Sequence, residues 1–153
     1  MQVKSILVVC VGNICRSPVG ERLLAAKLAE RGAGIAVSSA GIGALVGQGA
    51  DETAEQVARD RGLSLEGHIA RQFTHELGQD ADLILVMEPG HRREIAREVP
   101  ALSGRVMLFD HWQGGKGIED PYRHPAGFHE TVQSRIAEAA ESWASRLAPG
   151  KGA

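Results

Sequence analysis

The stretch ILVVCVGNICRSP, residues 6–18, decides the fold of this chain. It begins with a continuous apolar run at residues 6–9, which is typical of a strand buried on both faces of a parallel sheet. It ends with Ser17 and Pro18, which predict a helix start with Ser17 as N-cap and Pro18 as the first helical residue. The residues between them therefore form a short loop that joins the carboxyl end of a buried strand to a helix N-terminus.

Further strand and helix patterns follow this unit along the chain. Apolar runs that predict strands lie at residues 35–37, 83–86 and 106–109. Helical patterns extend from Pro18 to near Gly32, over residues 51–61, from Pro89 onward, and over about 128–147. This alternation predicts an open α/β fold with four parallel strands flanked by helices. We predict one domain over residues 1–148, with its ligand site beyond the carboxyl ends of the strands, and a frayed tail at residues 149–153.

The composition excludes several classes of protein. The 153 residues include 17 basic and 19 acidic ones, so the charge is nearly balanced and does not favour nucleic-acid binding. No apolar stretch approaches the roughly 18 residues of a membrane helix, and the run at residues 6–11 is too short for a signal peptide. The two cysteines, Cys10 and Cys15, are too few and too close together for a disulfide scaffold. We therefore expect a cytoplasmic protein with reduced thiols and no stable membrane insertion.

The loop at residues 10–17 carries the residue types of an anion site. A helix N-terminus presents free N–H groups and a partial positive charge, and a tight loop leading into it binds anions. Gly12 and Asn13 tolerate left-handed backbone angles, so the loop can turn its amides inward. Cys10 lies where the thiolate form is favoured, and Arg16 adds a guanidinium able to grip two phosphate oxygens. Together these residue types predict phosphoryl transfer to sulfur, although Cys10 alone would fit a small buried apolar residue and Arg16 alone a solvated one.

The segment VCVGNICRSP, residues 9–18, resembles the signature loop of the low-molecular-weight protein tyrosine phosphatases. The resemblance extends over nearly the whole chain, through residues 38–41, His68 with residues 70–72, residues 83–88 and residues 120–122. The stretches GALVGQGAD, LSLEGHIARQ, VMLFDHW and EDPYR are most similar to the bacterial members that partner polysaccharide-export tyrosine autokinases. The resemblance implies a cysteine-dependent protein-tyrosine phosphatase that uses no metal or other cofactor.

The resemblance also implies a role for each residue of the site. Cys10 is the nucleophile, Arg16 is the phosphate clamp and Asp120 is the general acid, although Asp120 alone would fit an ordinary turn residue before proline. The Ser17 hydroxyl stabilises the Cys10 thiolate. The residues implied to surround the substrate, either around the phosphate or beside the phenyl ring, include Ser17 as well. They are Val11, Gly12, Asn13, Ile14, Cys15, Ser17, Leu45 and Tyr122.

Two residues near the nucleophile each have a second interpretation. Cys15 fits a reversible disulfide with Cys10, as the resemblance implies, or a small buried residue. His68 is implied to support the loop as a partner of Asn13, whereas His68 alone would fit a surface position. The other histidines show no metal-ligand spacing, and we expect them to be solvated: His75, His91, His111, His124 and His129.

Two other functions fit parts of the pattern. An arsenate reductase of the same fold uses further cysteines as a relay, and this chain has none after Cys15. A module that only binds phosphorylated ligands needs neither a thiolate nor a general acid, so the presence of Cys10 and Asp120 argues against it. The resemblance instead predicts a phosphotyrosine protein as partner, the tail of a membrane tyrosine autokinase, and thereby a role in exopolysaccharide production. We expect a monomer that does not bind nucleic acid.

Overall fold

The computed structural model describes residues 2–149, which form an α/β fold on a four-stranded parallel sheet. The strands are β1 Ser5–Cys10, β2 Ala36–Gly41, β3 Leu83–Val86 and β4 Val106–Leu108. They lie in the order β2-β1-β3-β4, and each neighbouring pair is parallel. The predicted fold class and strand number are therefore confirmed, although β2 runs on to Gly41 where the pattern had placed its end at residue 37. Met1 and residues 150–153, most of the predicted tail, lie outside the described residues.

The helices are α1 Arg16–Glu30, α2 Glu52–Asp60, α3 His75–Asp80, α4 Pro89–Glu98 and α5 Ala126–Leu147. Short 3-10 helices follow α4 and β4, at Pro100–Arg105 and His111–Gln113. Neither α3 nor the 3-10 helices were predicted, because each is shorter than the window in which helical periodicity shows. Within residues 2–149, no helix combines the length and the apolar character needed to cross a membrane.

The start of α1 differs from the prediction, because the helix begins at Arg16 and not at Pro18. The Ser17 hydroxyl does not cap the helix, since it is engaged with the side chains of Cys10 and Asn13. Pro18 instead lies within the first turn, where a missing N–H costs no helical hydrogen bond. Arg16 is therefore the first residue of the helix, and its side chain extends from that turn into the site.

The sheet is buried on both faces, as the continuous apolar run of β1 predicted. Ile6 and Val8 pack against one side of the core, and Leu7 and Val9 pack against the other. The first side is closed by apolar residues of α1 and α5: Val19, Leu24, Leu28, Val132, Ile136, Ala140 and Trp143. The second side is closed by α4 and the 3-10 helix after it, through Ile95 and Leu102. With both faces covered, the edge at the carboxyl ends of the strands is left to carry the loops that form the site.

Candidate active site

The loop between β1 and α1 is held in shape by hydrogen bonds on its outer side. Five successive carbonyl groups, those of residues 10–14, each accept a hydrogen bond from outside the loop. The donors are the backbone N–H groups of Ile42, Gly43, Leu45 and Asp51 and the ring of His68. Because the N–H and C=O of a trans peptide unit point in opposite directions, this pattern turns the loop amides toward its concave side. That side adjoins the N-terminus of α1, and the two together form an anion site.

Asn13 is fully buried and braces the bend of this loop. Its φ of 58° lies in the left-handed region, which asparagine tolerates better than most residues. Its Oδ1 accepts a hydrogen bond from Arg71 N at 3.0 Å, and its Nδ2 donates to Ser17 Oγ at 2.7 Å and to Ser39 Oγ at 3.0 Å. Ser39 in turn donates to Glu21 Oε1 at 2.6 Å. These contacts hold the loop at Asn13, whereas His68 contacts its backbone carbonyl and not its side chain.

Cys10 ends β1 with its sulfur 2.9 Å from Ser17 Oγ. The Ser17 oxygen already accepts a hydrogen bond from Asn13 Nδ2, so its hydroxyl hydrogen can point toward the sulfur. A hydroxyl that donates to sulfur stabilises the thiolate relative to the thiol. Ser17, oriented by Asn13, is therefore placed to stabilise Cys10 as a thiolate nucleophile.

The guanidinium of Arg16 is buried, with 1% of the side chain exposed, and has one fixed side and one open side. Its Nη1 donates to Glu88 Oε2 at 2.6 Å and to the carbonyl oxygen of Ile118 at 2.7 Å. Its Nε has no hydrogen-bond partner within residues 2–149, and its Nη2 lies 3.8 Å from Asp120 Oδ2. The edge formed by Nε and Nη2 is therefore free to grip two oxygens of one anion, which is how arginine binds phosphate.

Asp120 lies at the mouth of the site, with about half of its side chain exposed. Its Oδ1 accepts a hydrogen bond from the backbone N–H of Tyr122 at 3.0 Å, which closes a turn over the buried Pro121. Its Oδ2 faces Arg16. The carboxyl group thus lies beside the arginine that can bind an anion. A proton donor for the leaving group of that anion is needed at such a position.

These residues line one cavity of about 170 Å³. Its walls include all three residues predicted to be catalytic and the two predicted to flank a phenyl ring. The full lining is Cys10, Val11, Gly12, Ile14, Cys15, Arg16, Gly43, Leu45, Asp120 and Tyr122. Among the residues predicted to surround the substrate, Asn13 and Ser17 do not border the cavity with the others, because their side chains brace the loop from behind. His68 lies on that outer side too, bonded through Nε2 to the carbonyl oxygen of Asn13 at 2.6 Å.

Cys15 contributes the second thiol of the cavity wall. Burial raises the pKa of this thiol, and the nearby Asp51 carboxylate and Cys10 raise it further. Cys15 therefore stays protonated near neutral pH, which leaves Cys10 as the sulfur able to attack. Both cysteines are free in the structure, and the reversible disulfide between them stays a prediction.

Two of the five histidines expected to be solvated are buried, so the prediction was wrong for His91 and His129. Burial lowers the pKa of both imidazoles, and the Arg16 guanidinium lowers the pKa of His91 further. His91 Nε2 lies 3.4 Å from Glu88 Oε2, and His129 Nε2 lies 4.0 Å from Asp51 Oδ2. The sequence prediction had placed them on the surface because they show no metal-ligand spacing. In the part of the chain that is described, no group of three or more His, Cys, Asp or Glu side chains is placed to hold a metal ion.

Glu88 is a site residue that sequence reasoning missed. It lies two positions beyond the end of β3, and sites in parallel sheets form beyond the carboxyl ends of the strands. The same reasoning had selected Cys10 at the end of β1, so a signal was present. Its partner could not be read from spacing, however, because Glu88 and Arg16 stand 72 positions apart.

Comparisons with known proteins agree with this geometry. The family described as "Low molecular weight phosphotyrosine protein phosphatase" matches residues 5–151. The probable low-molecular-weight protein-tyrosine-phosphatase AmsI of Erwinia amylovora is 48% identical over 145 residues, which cover 95% of this chain and 98% of that protein. The crystal structure of the tyrosine phosphatase Wzb from Escherichia coli K30 in complex with sulphate matches with a TM-score of 0.91 and 45% identity, over 95% of this chain and 99% of that one. Vibrio vulnificus Wzb in complex with benzylphosphonate matches with a TM-score of 0.90 and 43% identity, over the same shares of the two chains.

Proposed function

The chain belongs to the low-molecular-weight phosphotyrosine protein phosphatase family, whose members are cysteine-dependent enzymes, and from that premise we propose that it hydrolyses phosphotyrosine in proteins through a phosphocysteine on Cys10. One observation carries the proposal more than any other. The sulfur of Cys10, the free edge of Arg16 and the carboxyl group of Asp120 converge on one cavity whose floor is a loop of inward-facing amides.

The first step of the proposed reaction transfers the phosphoryl group to sulfur. The Cys10 thiolate attacks phosphorus in line with the phenolic oxygen, so an S–P bond forms as the P–O bond to tyrosine breaks. Arg16 and the loop amides hold the three equatorial oxygens, whose charge they offset throughout the transfer. Asp120 gives its proton to the departing phenolic oxygen, which makes tyrosine a neutral leaving group.

The second step returns the enzyme to its starting state. A water molecule attacks phosphorus from the side that tyrosine has left, and Asp120, now a carboxylate, accepts the proton of that water. The S–P bond breaks and gives inorganic phosphate and the Cys10 thiolate. The hydroxyl of Ser17, 2.9 Å from the sulfur, stabilises the thiolate as leaving group in this step. The proposed cycle uses no metal or other cofactor.

The lining of the cavity supports tyrosine as the phosphorylated residue. Cys10 is buried, while Leu45 and Tyr122 line the same cavity and are more exposed. The phenyl ring of a phosphotyrosine whose phosphate lies at Cys10 would gain apolar contact with Leu45 and Tyr122. The side chain of phosphoserine has no ring to make those contacts. Binding of benzylphosphonate by a 43% identical relative fits the same shape of ligand.

The partner and cellular role belong to the same proposal. We propose that the substrate is the tyrosine-phosphorylated tail of a membrane autokinase, and that its dephosphorylation regulates exopolysaccharide production. The support is the sequence similarity to the phosphatases paired with such kinases, together with identities of 48% to AmsI and to Wzb of Escherichia coli K12. We further propose that the enzyme is cytoplasmic and that it is a monomer.

Hydrolysis of matched phosphopeptides in the presence of a chelator tests the activity. Wild type is expected to release phosphate from a phosphotyrosine peptide and to leave the phosphoserine version of the same peptide almost unchanged. Cys10→Ser should abolish turnover and still bind the phosphotyrosine peptide, because the loop amides and Arg16 remain. Equal hydrolysis of both peptides, loss of activity with chelator, or normal turnover by Cys10→Ser would each overturn the proposal. Arsenate reduction by the wild type would favour the reductase alternative.

A further inference from the structure

His91 lies behind the phosphate clamp, in the first turn of α4. Its side chain is 8% exposed, and its Nε2 lies 3.4 Å from Glu88 Oε2. That same carboxylate oxygen accepts the hydrogen bond from Arg16 Nη1 at 2.6 Å. The three side chains therefore form a row from His91 through Glu88 to Arg16, and the proposed catalytic cycle uses only the last of them.

Whether His91 can donate a hydrogen bond to Glu88 depends on the protonation state and tautomer of its imidazole. Burial and the Arg16 guanidinium lower the pKa of His91, while Glu88, Glu94 and Asp120 oppose that shift. The ring is therefore neutral near pH 7.5 and carries one N–H. Nδ1 has no hydrogen-bond partner among the described residues, whereas Nε2 faces a carboxylate that can only accept. We infer that the proton is on Nε2, 3.4 Å from Glu88 Oε2, where it places a donor beside that carboxylate without adding charge.

A second partner would help to keep Glu88 in place. Its side chain is 42% exposed, so holding it against the buried Arg16 costs rotamer freedom that one hydrogen bond only partly offsets. Asp120 Oδ2 lies 3.8 Å from the other terminal nitrogen of Arg16, so two carboxylates face one guanidinium. If Glu88 turned toward solvent, Arg16 could rotate toward Asp120, and its Nε–Nη2 edge would no longer face the anion.

We propose that His91 is a positioning residue for the phosphate clamp. It holds Glu88 against Arg16 Nη1 and so keeps the Nε–Nη2 edge aimed at the phosphate. The inference rests on the role proposed above for Arg16, and it assigns His91 no contact with substrate.

Sulfate affinity at pH 7.5 tests this role, because sulfate is a dianion of phosphate shape that the enzyme cannot turn over. His91→Leu fills the site but removes the donor, and we expect it to weaken sulfate binding about 3-fold to 10-fold, as measured by calorimetry and by competition with p-nitrophenyl phosphate. His91→Gln restores a side-chain N–H and should bind sulfate within about 2-fold of wild type. Arg92→Leu, an exposed change in the same turn of α4, is the matched control and should leave the affinity unchanged. Thermal unfolding verifies that each variant is folded.

A double-mutant cycle separates positioning from simple packing. If His91 acts through Glu88, His91→Leu should weaken sulfate binding in the wild type and should have no further effect in a Glu88→Ala background. Fully additive losses, a wild-type affinity in His91→Leu, or an equal loss in His91→Gln and His91→Leu would each overturn the proposal. Those results would leave phosphotyrosine hydrolysis by the wild type intact, whereas a wild type that binds no sulfate would overturn the clamp and the positioning role together.

Discussion

At the scale of single residues, Arg16 divides its hydrogen bonds between the fold and the substrate. Its Nη1 is taken by Glu88 and by the carbonyl oxygen of Ile118, so the side chain cannot swing away when the cavity changes occupant. The remaining edge is held ready before an anion arrives, and a group oriented in advance loses little entropy on binding. Asp120 Oδ2 lies 3.8 Å from Nη2, so a bound dianion would compete with this carboxylate for the same edge of Arg16.

Replacement of Asp120 by asparagine should make the rate depend on the leaving group. For wild type, kcat/KM should vary little along a series of aryl phosphates, because the proton from Asp120 neutralises each leaving oxygen. For Asp120→Asn, kcat/KM should fall steeply as the phenol becomes less acidic, by about 100-fold or more for phenyl phosphate and by less for p-nitrophenyl phosphate.

The exposed neighbour Glu119 offers the control for this series, since Glu119→Gln removes one carboxylate from the same loop and should keep the flat dependence of wild type. A flat dependence in Asp120→Asn as well would mean that another group supplies the proton.

The residues of the site were predictable from the sequence to the extent that they act locally. Cys10 and Arg16 belong to one loop, so their spacing and flanking elements identified them. Glu88 and His91 act across the fold, and nothing in their local sequence marks a contact with Arg16. His91 shows the physical reason most clearly. It stands in a polar helix turn, and its burial results from tertiary packing that local sequence does not reveal.

At the scale of elements, the carboxyl ends of β1 and β2 are packed tightly enough to shape the phosphate loop. Cys10 and Gly41 are register partners in the sheet, and the chain after Gly41 supplies the N–H groups that turn the loop carbonyls outward. A Cβ on Gly41 would clash with the carbonyl oxygen of Val11 and would lie 3.0 Å from Asn13 N. The sequence pattern ended β2 at residue 37, because residues 38–41 are small and polar and lack the apolar signal of a strand.

Gly41→Ala should therefore damage the site more than the fold. The added methyl group meets backbone atoms, which cannot move aside as a flexible side chain would, so the loop must shift. We expect sulfate affinity and kcat/KM to fall about 10-fold or more, with a loss of about 1–3 kcal/mol in the free energy of unfolding in urea.

Gly34→Ala provides the matched control, because a Cβ at Gly34 meets no atom within 4 Å. That variant should keep both sulfate affinity and turnover. Wild-type sulfate affinity in Gly41→Ala would show that the phosphate loop does not depend on the close approach of β2.

At the scale of the whole molecule, both faces of the sheet are sealed by helices, and α5 reaches from the core to the site. Ile136 and Trp143 of α5 lie in the core on one side of the sheet, while the first turn of α5 carries His129 near Asp51 and the Asp120 loop. The apolar spacing of α5 predicted its packing side correctly. It did not predict that a histidine would be buried there, since burial of His129 depends on where α2 and the Asp120 loop fold back.

Buried His129 should make the folded state less stable in acid. Burial lowers the pKa of this imidazole, while Asp51 and Asp120 oppose the shift and His124 reinforces it. The unfolded chain, where the pKa is about 6.5, then binds a proton more readily than the folded chain does. As far as His129 is concerned, the free energy of unfolding is therefore at its full value above pH 6.5. It decreases as the pH falls below that value, by at most about 1.4 kcal/mol per pH unit for one group.

His129→Phe should remove this contribution and gain stability relative to wild type as the pH falls from 7.5 to 5.0. Neither ring nitrogen makes a well-formed hydrogen bond within residues 2–149, although the Pro121 backbone interacts with the ring, so an apolar ring of similar size leaves little unpaired. Urea unfolding at several pH values measures the difference, which should be small at pH 7.5 and should widen toward pH 5.0. His75→Gln, at an exposed position, should parallel wild type throughout. A constant difference between His129→Phe and wild type over this range would mean that His129 binds its proton equally well in the folded and unfolded chain, and acid sensitivity would then have to come from His91 or from the carboxylates of the site.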